Sequence, residues 1–143
     1  MKRRVALASL MAAWAIPQFA VTAQEHTSTR DGVYTGRQAA RGESSYKMAC
    51  ASCHGPTLQG KGAQMPPLAG PDFVMNWNGQ TIGELFERIQ SSMPADRPGT
   101  LTRDENADIV AFILKSNKLP AGNNDLPSDA DALKRIQFDA PKE

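Results

Sequence analysis

One five-residue run constrains this chain more than any other part of its sequence: Cys50-Ala51-Ser52-Cys53-His54. The Cys-x-x-Cys-His pattern is the attachment signature of a c-type haem, in which two thiols become thioethers on the haem vinyl groups and the histidine ligates the iron. On a helix, positions i, i+3 and i+4 share one face. The pattern therefore predicts a helical turn that presents Cys50, Cys53 and His54 to one porphyrin.

Three other interpretations of these cysteines are possible. A zinc site needs about four ligands, but the chain has only two cysteines and two histidines, and His26 lies far upstream of Cys50. A redox-active disulfide is a better competitor, although it is expected in a strand–helix–strand context, and no alternating segment precedes Cys50. A chance match inside an ordinary helix is the third. The sequence favours one covalently attached haem c as the cofactor.

The N-terminus has the three parts of a secretory signal peptide. Residues 1–4 are basic, residues 5–21 are apolar, and Val21-Thr22-Ala23 is a small-residue cleavage site. We predict a signal peptide over residues 1–23, cleavage after Ala23, and a periplasmic protein without stable membrane insertion. The alternative is an uncleaved anchor, but the apolar run is short for a span of about 20 residues, and Pro17 interrupts it.

The charge of the chain excludes one class of partner. The 143 residues carry a formal charge of +1, and removal of residues 1–23 takes away three basic residues and no acids, so the mature charge becomes −2. A nucleic-acid-binding protein needs a basic surface, so no nucleic-acid partner is predicted. An exported chain whose only cysteines are this pair also has no disulfide framework, which leaves both thiols for haem.

Three capped segments predict the main helices, and no internal repeat or convincing strand is present. Each segment begins with a threonine that has Gln or Glu three residues later, the pattern of a capping box. The second ends before a proline, and the first ends at Gly55-Pro56. The fold class is therefore all-α with long loops. The predicted segments are Thr35 to His54, Thr81 to about Ser92, and Thr102 to about Asn117.

The segments around these helices have different compositions. Residues 24–34 are polar and predict a flexible leader, and residues 35–119 form the predicted monohaem domain. Residues 55–79 are rich in Gly and Pro and predict an irregular loop, whose apolar side chains are expected to pack on a haem face.

Residues 120–143 form a C-terminal extension whose role the sequence leaves open. A short helix is expected within residues 128–136. The extension either folds back over the haem domain or binds a partner through its apolar residues, which are Leu126, Leu133, Ile136 and Phe138.

The Cys-x-x-Cys-His pattern leaves the sixth ligand of the iron unassigned. Histidine–methionine ligation raises the reduction potential and closes the iron to substrates, whereas an open position permits oxygen or peroxide chemistry. His26 lies in the leader, and a loose segment positions a ligand poorly. A methionine is therefore the favoured sixth ligand.

Four methionines of the mature chain compete for this position. Met48 lies beside the haem-bearing turn and is expected to fill the core, whereas Met65 and Met75 lie in the long loop and stay alternatives. Met93 is best placed, because it follows an apolar helix and opens a loop that prolines stiffen.

Together these residues resemble the class I cytochrome c family over about residues 38–117. Gly42-x-x-x-Tyr46 ahead of the haem pattern is similar to the family's first helix, in which the glycine allows a close crossing by the last helix. Phe112 matches the aromatic position of that last helix. The resemblance implies a cytochrome c-like fold, with three main helices and long loops around one covalently bound haem.

The same resemblance implies roles for two loop segments. Pro66-x-Leu68 is similar to the segment whose proline carbonyl accepts the Nδ1 proton of the haem histidine, a bond that would orient His54. Met93-Pro94, followed by Pro98-Gly99-x-Leu101, is similar to the segment that carries the distal ligand. The resemblance therefore implies His54 and Met93 as the two axial ligands.

The resemblance also implies a role for Trp77. Its placement is similar to that of a family tryptophan that bonds a haem propionate. The alternative is an apolar lid whose indole N–H bonds elsewhere.

The pattern looks most like small bacterial periplasmic cytochromes that accept electrons from dehydrogenases, including quinoprotein dehydrogenases. We expect a one-electron carrier without catalytic residues, with a dehydrogenase as donor and an oxidase or another cytochrome as acceptor. One alternative is a dedicated cytochrome c subunit of an exported dehydrogenase or oxidase complex. The other is a haem enzyme or gas sensor with a labile Met93, against which the sequence offers no distal histidine or arginine on a matching segment.

Overall fold

Three long helices and three short ones make up most of the regular structure in a computed structural model that describes residues 26–142. The predicted signal peptide and its cleavage site lie outside the described residues. No described helix has the length and apolar character needed to cross a bilayer. In chain order the elements are β1 (Thr27–Ser28), a 3-10 turn (Thr29–Asp31), α1 (Gly36–Ala49), α2 (Ala51–His54), α3 (Pro71–Trp77), α4 (Ile82–Ser92), α5 (Arg103–Ser116), α6 (Ala130–Lys134) and β2 (Ile136–Gln137).

The three long helices begin at the predicted threonines. The side chains of Thr81 and Thr102 each accept the N–H of the third residue of the helix, and the glutamate there bonds back to the threonine N–H. Both predicted capping boxes are therefore confirmed.

The first helix departs from this pattern. Thr35 accepts the Gln38 N–H, but the Gln38 side chain does not return to Thr35. Its side-chain amide instead bonds the backbone of Leu126. The Gln38 Nε2 donates to the Leu126 carbonyl at 2.9 Å, and its Oε1 accepts the Leu126 N–H at 2.6 Å. The capping box predicted here is half formed, because the C-terminal extension occupies the glutamine.

Helices α1 and α5 cross at backbone contact. A Cβ on Gly42 would lie 1.7 Å from the carbonyl oxygen of Asp108, so only glycine fits at the crossing. Beside this contact the Arg41 guanidinium binds both carboxylate oxygens of Asp108, each at 2.8 Å. Further along, the rings of Tyr46 and Phe112 pack with centroids 5.3 Å apart. The close crossing expected from the resemblance is confirmed.

The segment 55–79 is more regular than predicted. Helix α3 occupies its second half, and the prediction of an irregular loop was wrong there. Pro71 is the first residue of this helix, a position where proline's fixed φ favours helix formation. Phe73 then packs against Trp77 and Phe138, with ring centroids 6.1 and 5.9 Å away.

The segment predicted as a flexible leader is also ordered within the described residues. Strand β1 pairs in parallel with β2, so the prediction of no strand was wrong as well. The hydroxyl of the buried Thr29 bonds both the carbonyl and the N–H of Asp139. These long-range pairs join the two ends of the chain, which a polar composition does not reveal.

The C-terminal extension folds back on the helices. All four of its apolar residues named above are buried in the core. The predicted short helix is present as α6, which spans only Ala130–Lys134. Of the two roles left open by the sequence, the structure shows fold-back.

Candidate haem site

All seven predicted site residues line one cavity of about 1050 Å3. Ligand cavities in proteins measure roughly 300–1,000 Å3, so this one is large enough for a macrocycle. Its inner wall is formed by apolar side chains of α4 and α5: Leu85, Ile89, Ile109 and Ile113. The site residues that share it are Cys50, Cys53, His54, Pro66, Leu68, Trp77 and Met93.

The haem-attachment pattern lies at a helical turn. Helix α1 ends at Ala49, and the N–H groups of Cys53 and His54 both bond the carbonyl of Cys50, at 3.1 and 2.9 Å. The turn is therefore the short helix α2 rather than an uninterrupted continuation of α1. Both cysteines are free thiols, Cys50 half-buried and Cys53 exposed.

The environment of Cys50 is unlike that of a redox-active cysteine. Burial, with the nearby Cys53 as a second cause, raises the pKa of Cys50 to about 11. Redox-active Cys-x-x-Cys pairs work through a thiol whose pKa is lowered. Among residues 26–142 there is also no cluster of three or more His, Cys, Asp or Glu side chains suited to a metal ion.

His54 is buried and oriented by the loop that follows it. Its Nδ1 lies 2.8 Å from the carbonyl oxygen of Pro66. A carbonyl only accepts, so Nδ1 is the donor in this bond, which leaves Nε2 as the nitrogen that could ligate a metal. The contact between His54 and Pro66 is the one implied by the resemblance.

The shape of that loop depends on Gly60. Its φ is +73°, and a Cβ there would lie 2.6 Å from the carbonyl oxygen of Met65. The Gly60 N–H bonds the carbonyl of His54 at 2.8 Å. The loop therefore turns back on the histidine and presents the Pro66 carbonyl to it.

Asn117 fastens the far end of the loop, and the sequence analysis missed it. Its buried amide donates to the Leu68 carbonyl and accepts the Gly70 N–H, both at 3.0 Å. The local signal, an asparagine just after a helix, is typical of an ordinary helix end and says nothing about a partner almost 50 positions away.

Met93 lines the same cavity as His54 from a different element. Its N–H bonds the carbonyl of Ile89 at 2.9 Å and closes α4, and its side chain is half-buried. Of the alternative ligands, Met65 also lines the cavity, whereas Met75 does not and is 73% exposed. His26 is exposed and lies outside the lining.

Met48 contradicts one prediction. It was expected to fill the core, but its side chain is 79% exposed at the cavity rim. The reason is its position on α1, whose core-facing residues are Gln38, Ala39, Gly42 and Tyr46.

Polar groups at the rim complete the site. The half-buried Trp77 lines the cavity, and its indole N–H makes no hydrogen bond to any described residue. Arg88 of α4, which the sequence analysis did not single out, lines the cavity as well. Arg97 at the rim lies 3.4 Å from the carboxylate of Asp96.

The donor set fits a covalently held haem. Two free thiols, the Nε2 of an oriented imidazole, a thioether sulfur and an apolar wall surround one cavity. The indole N–H of Trp77 and the guanidinium of Arg88 would be available for the carboxylates of the group.

The chain was compared with curated proteins, solved structures and protein families. No match was found among curated proteins. A similar solved structure is the sulfane dehydrogenase SoxCD from Paracoccus pantotrophus, with 22% sequence identity and a TM-score of 0.48. The alignment covers 89% of this chain and 66% of the SoxCD chain, so this chain spans a little less than two thirds of that one.

A family match covers the helices that build the cavity. The family described as cytochrome c oxidase, cbb3-type, subunit III matches residues 37–113, which is more than half of the chain. This range contains α1 except its first residue, α2 to α4, the haem-attachment pattern and most of α5. The all-α, cytochrome c-like fold is thereby confirmed. The chain therefore belongs to this family of cytochrome c domains and is a class I c-type cytochrome, a haem-binding protein of electron transfer.

Proposed function

We propose that this cytochrome is a periplasmic one-electron carrier with a single haem c, bound through thioethers to Cys50 and Cys53 and ligated by His54 and Met93. The observation that carries the proposal is the shared cavity. It brings both thiols and the oriented imidazole of residues 50–54 together with the side chain of Met93, about 40 positions further along the chain.

Each of these residues has a defined task in a carrier. Bound haem supplies an iron that changes between ferrous and ferric states. The Pro66 carbonyl keeps the proton of His54 on Nδ1 and raises the basicity of the imidazole. The prolines after Met93 keep the thioether in place at a low entropic cost. Ligation by both His54 and Met93 would leave no position on the iron for a substrate.

The rim supports a role in contact with redox partners. Met48 and Cys53 are exposed beside the cavity, and the segment 94–97 borders it. We propose that a dehydrogenase donor and an oxidase or cytochrome acceptor dock here in turn through a small interface. Lys61 is less suited to docking, because its ammonium is bonded to the Ser52 carbonyl at 2.7 Å.

A second candidate function is a dedicated subunit of an exported redox complex. The matching family, which is described as an oxidase subunit, favours it. The burial of the extension's apolar residues within the chain weighs against it, because they are not available to a catalytic subunit. The native mass of the protein purified from its own source separates the two, since a carrier is isolated free and a subunit within a complex.

Haem attachment is tested by mass spectrometry of protein made in a host that matures c-type haems. We expect the denatured wild type to retain the mass of one covalently attached haem. The single variants Cys50→Ser and Cys53→Ser should each lose one thioether, and the double variant should release its haem. Retention of covalent haem in the double variant would contradict the proposed attachment.

Exclusion of substrates is tested with carbon monoxide and cyanide. With Met93 bound, the reduced protein should resist carbon monoxide and the oxidised protein should bind cyanide slowly. Rapid binding of either ligand by the wild type would instead support a haem enzyme or gas sensor.

A further inference from the structure

The hydroxyl of Tyr46 bonds the backbone directly beside the proposed axial histidine. Tyr46 is fully buried, and its hydroxyl donates to the carbonyl oxygen of Gly55 at 2.6 Å. Gly55 is the residue that follows His54. The Tyr46 ring is itself packed against Phe112 of α5. A donor that is fixed in the α1–α5 crossing therefore holds the peptide group after His54.

The backbone conformation of Gly55 makes the hydrogen bond from Tyr46 important. Its φ of 82° and ψ of 153° lie in a region open almost only to glycine. A Cβ there would also lie 2.3 Å from the side chain of Gln59. Glycine has more backbone freedom than any other residue, so an external bond to its carbonyl does much to fix the direction of the chain.

Three contacts from outside the haem-attachment turn hold the histidine and its peptide groups. The Pro66 carbonyl accepts a hydrogen bond from Nδ1 of His54, and the Gly60 N–H donates to the His54 carbonyl. Both of these partners belong to the loop after the histidine. Tyr46 is the contact that ties the ligand to the long helices.

We propose that Tyr46 is a positioning residue for His54, acting through the Gly55 peptide to keep the imidazole aligned with the Pro66 carbonyl. This inference rests on the proposed ligation of iron by His54. Burial raises the pKa of Tyr46 to about 12, so its hydroxyl stays a donor at neutral pH.

The proposal predicts the direction of an electrochemical effect. The bond from Nδ1 to Pro66 makes the imidazole a stronger electron donor. A stronger donor favours ferric iron, which carries more positive charge than ferrous iron. Loss of the Tyr46 hydroxyl lets the histidine move away from Pro66, weakens this donation, and raises the reduction potential.

The chain provides a matched control for this test in Tyr34. Tyr34 is also buried, and its hydroxyl donates to the carbonyl of Leu119 at 2.7 Å, but the residue does not line the cavity. Tyr34→Phe and Tyr46→Phe each remove one buried hydroxyl from one backbone carbonyl. Both variants leave a buried carbonyl without its partner, so their thermal unfolding midpoints should fall by a similar amount.

The test is the reduction potential of the holoprotein, together with the paramagnetically shifted NMR resonances of the His54 ring. Tyr46→Phe should raise the potential and shift the His54 resonances, whereas Tyr34→Phe should leave both unchanged. Equal potentials in the wild type and Tyr46→Phe, or equal changes in both variants, would overturn the proposal and reduce Tyr46 to a packing residue.

A second measurement tests the proposal if the Tyr46→Phe protein folds too poorly to be purified. The chain has only two tyrosines, so 3-fluorotyrosine added to the Tyr34→Phe protein labels Tyr46 alone. Fluorine makes the hydroxyl a stronger donor, and the potential should fall relative to the unlabelled Tyr34→Phe protein. An unchanged potential contradicts the proposal. A wild type without histidine–methionine spectra would instead overturn the proposed function, and this inference with it.

Discussion

The α1–α5 crossing and the haem cavity lie on two sides of the same helix and are built in opposite ways. At the crossing, Gly42 lets two backbones touch, and the Arg41–Asp108 pair borders the contact. On the cavity side, Ile109 and Ile113 of α5 line a space of about 1050 Å3. The chain completes the first side by itself, whereas the second side is complete only around a bound group.

This difference separates stability that the sequence encodes directly from stability that depends on haem. Interiors are packed to the density of organic crystals, and the crossing reaches contact distance without help. Without a bound group, the apolar wall of the cavity, formed by Leu85, Ile89, Ile109 and Ile113, would be exposed to water. Apolar surface left in water costs about 25 cal/mol per Å2, which weighs heavily against a total stability of roughly 5–15 kcal/mol for a small domain. The cavity side should therefore collapse or unfold when haem is absent.

The largest expected effect comes from preventing haem attachment. In the Cys50→Ser, Cys53→Ser protein stripped of haem, amide protection should fall most in α4 and the loop after His54, and least where α1 and α5 cross. Hydrogen exchange read by mass spectrometry compares these regions directly. A uniform loss of protection would show that the crossing also depends on haem.

Gly42→Ala tests the other side of the comparison. The added methyl would meet the Asp108 carbonyl and force the helices apart, so we expect a loss near the upper end of the 1–3 kcal/mol that overpacking costs, about 3 kcal/mol. Gly36→Ala is the matched control, because a Cβ on Gly36 meets nothing within 4 Å. Chemical denaturation of both holoproteins provides the free energies of unfolding, and equal values would contradict the account of the crossing.

Asn117→Ala tests how the loop is joined to α5. The variant leaves the Leu68 carbonyl and the Gly70 N–H without their partner, which should cost about 1–3 kcal/mol. The loop that presents Pro66 should also loosen, and the His54 resonances should broaden. Asn124→Ala, at an exposed position, should change neither quantity. Unaltered stability in Asn117→Ala would show that the loop holds its shape without α5.

The smallest expected effect is a pH dependence of stability caused by Asp125 of the C-terminal extension. A hydrogen bond from Thr35, and then one from Arg41, hold the pKa of Asp125 below its ordinary value of 3.8. A carboxylate with a lowered folded pKa stabilises the fold above its ordinary pKa, and this contribution is lost as the pH falls through the folded value. Because the pair with Arg41 is exposed, it contributes at most about 0.2–1 kcal/mol.

The variant Asp125→Asn checks this contribution. It should be less stable than the wild type at about pH 6, and the difference should shrink toward about pH 2 as the wild-type carboxylate is protonated. Thermal unfolding at both pH values measures it. A difference that stays constant would show that the charge of Asp125 does not matter.

Local patterns predicted the parts of the fold that local chemistry determines. The threonine caps located the starts of the long helices, because a capping box involves residues three apart. The spacing of Cys50, Cys53 and His54 predicted the attachment turn for the same reason. The residues that sequence reasoning placed at the site all reached one cavity.

What the sequence could not predict depends on pairs of residues far apart along the chain. Gln38 bonds Leu126 and Thr29 bonds Asp139, and neither partner is visible in a local window. The leader was therefore mistaken for a flexible segment. Met48 was assigned to the core because methionine is usually buried, whereas the side of α1 that it occupies faces outward.

The most direct test of the central claim is the visible absorption spectrum of the oxidised holoprotein, with Met93→Ala alongside. The account predicts the weak red band of thioether-ligated ferric iron in the wild type and its absence in Met93→Ala. Met48→Ala and Met65→Ala, which alter two other methionines of the cavity lining, should keep the band. A wild type without the band, or a Met93→Ala protein that retains it, would contradict ligation by Met93.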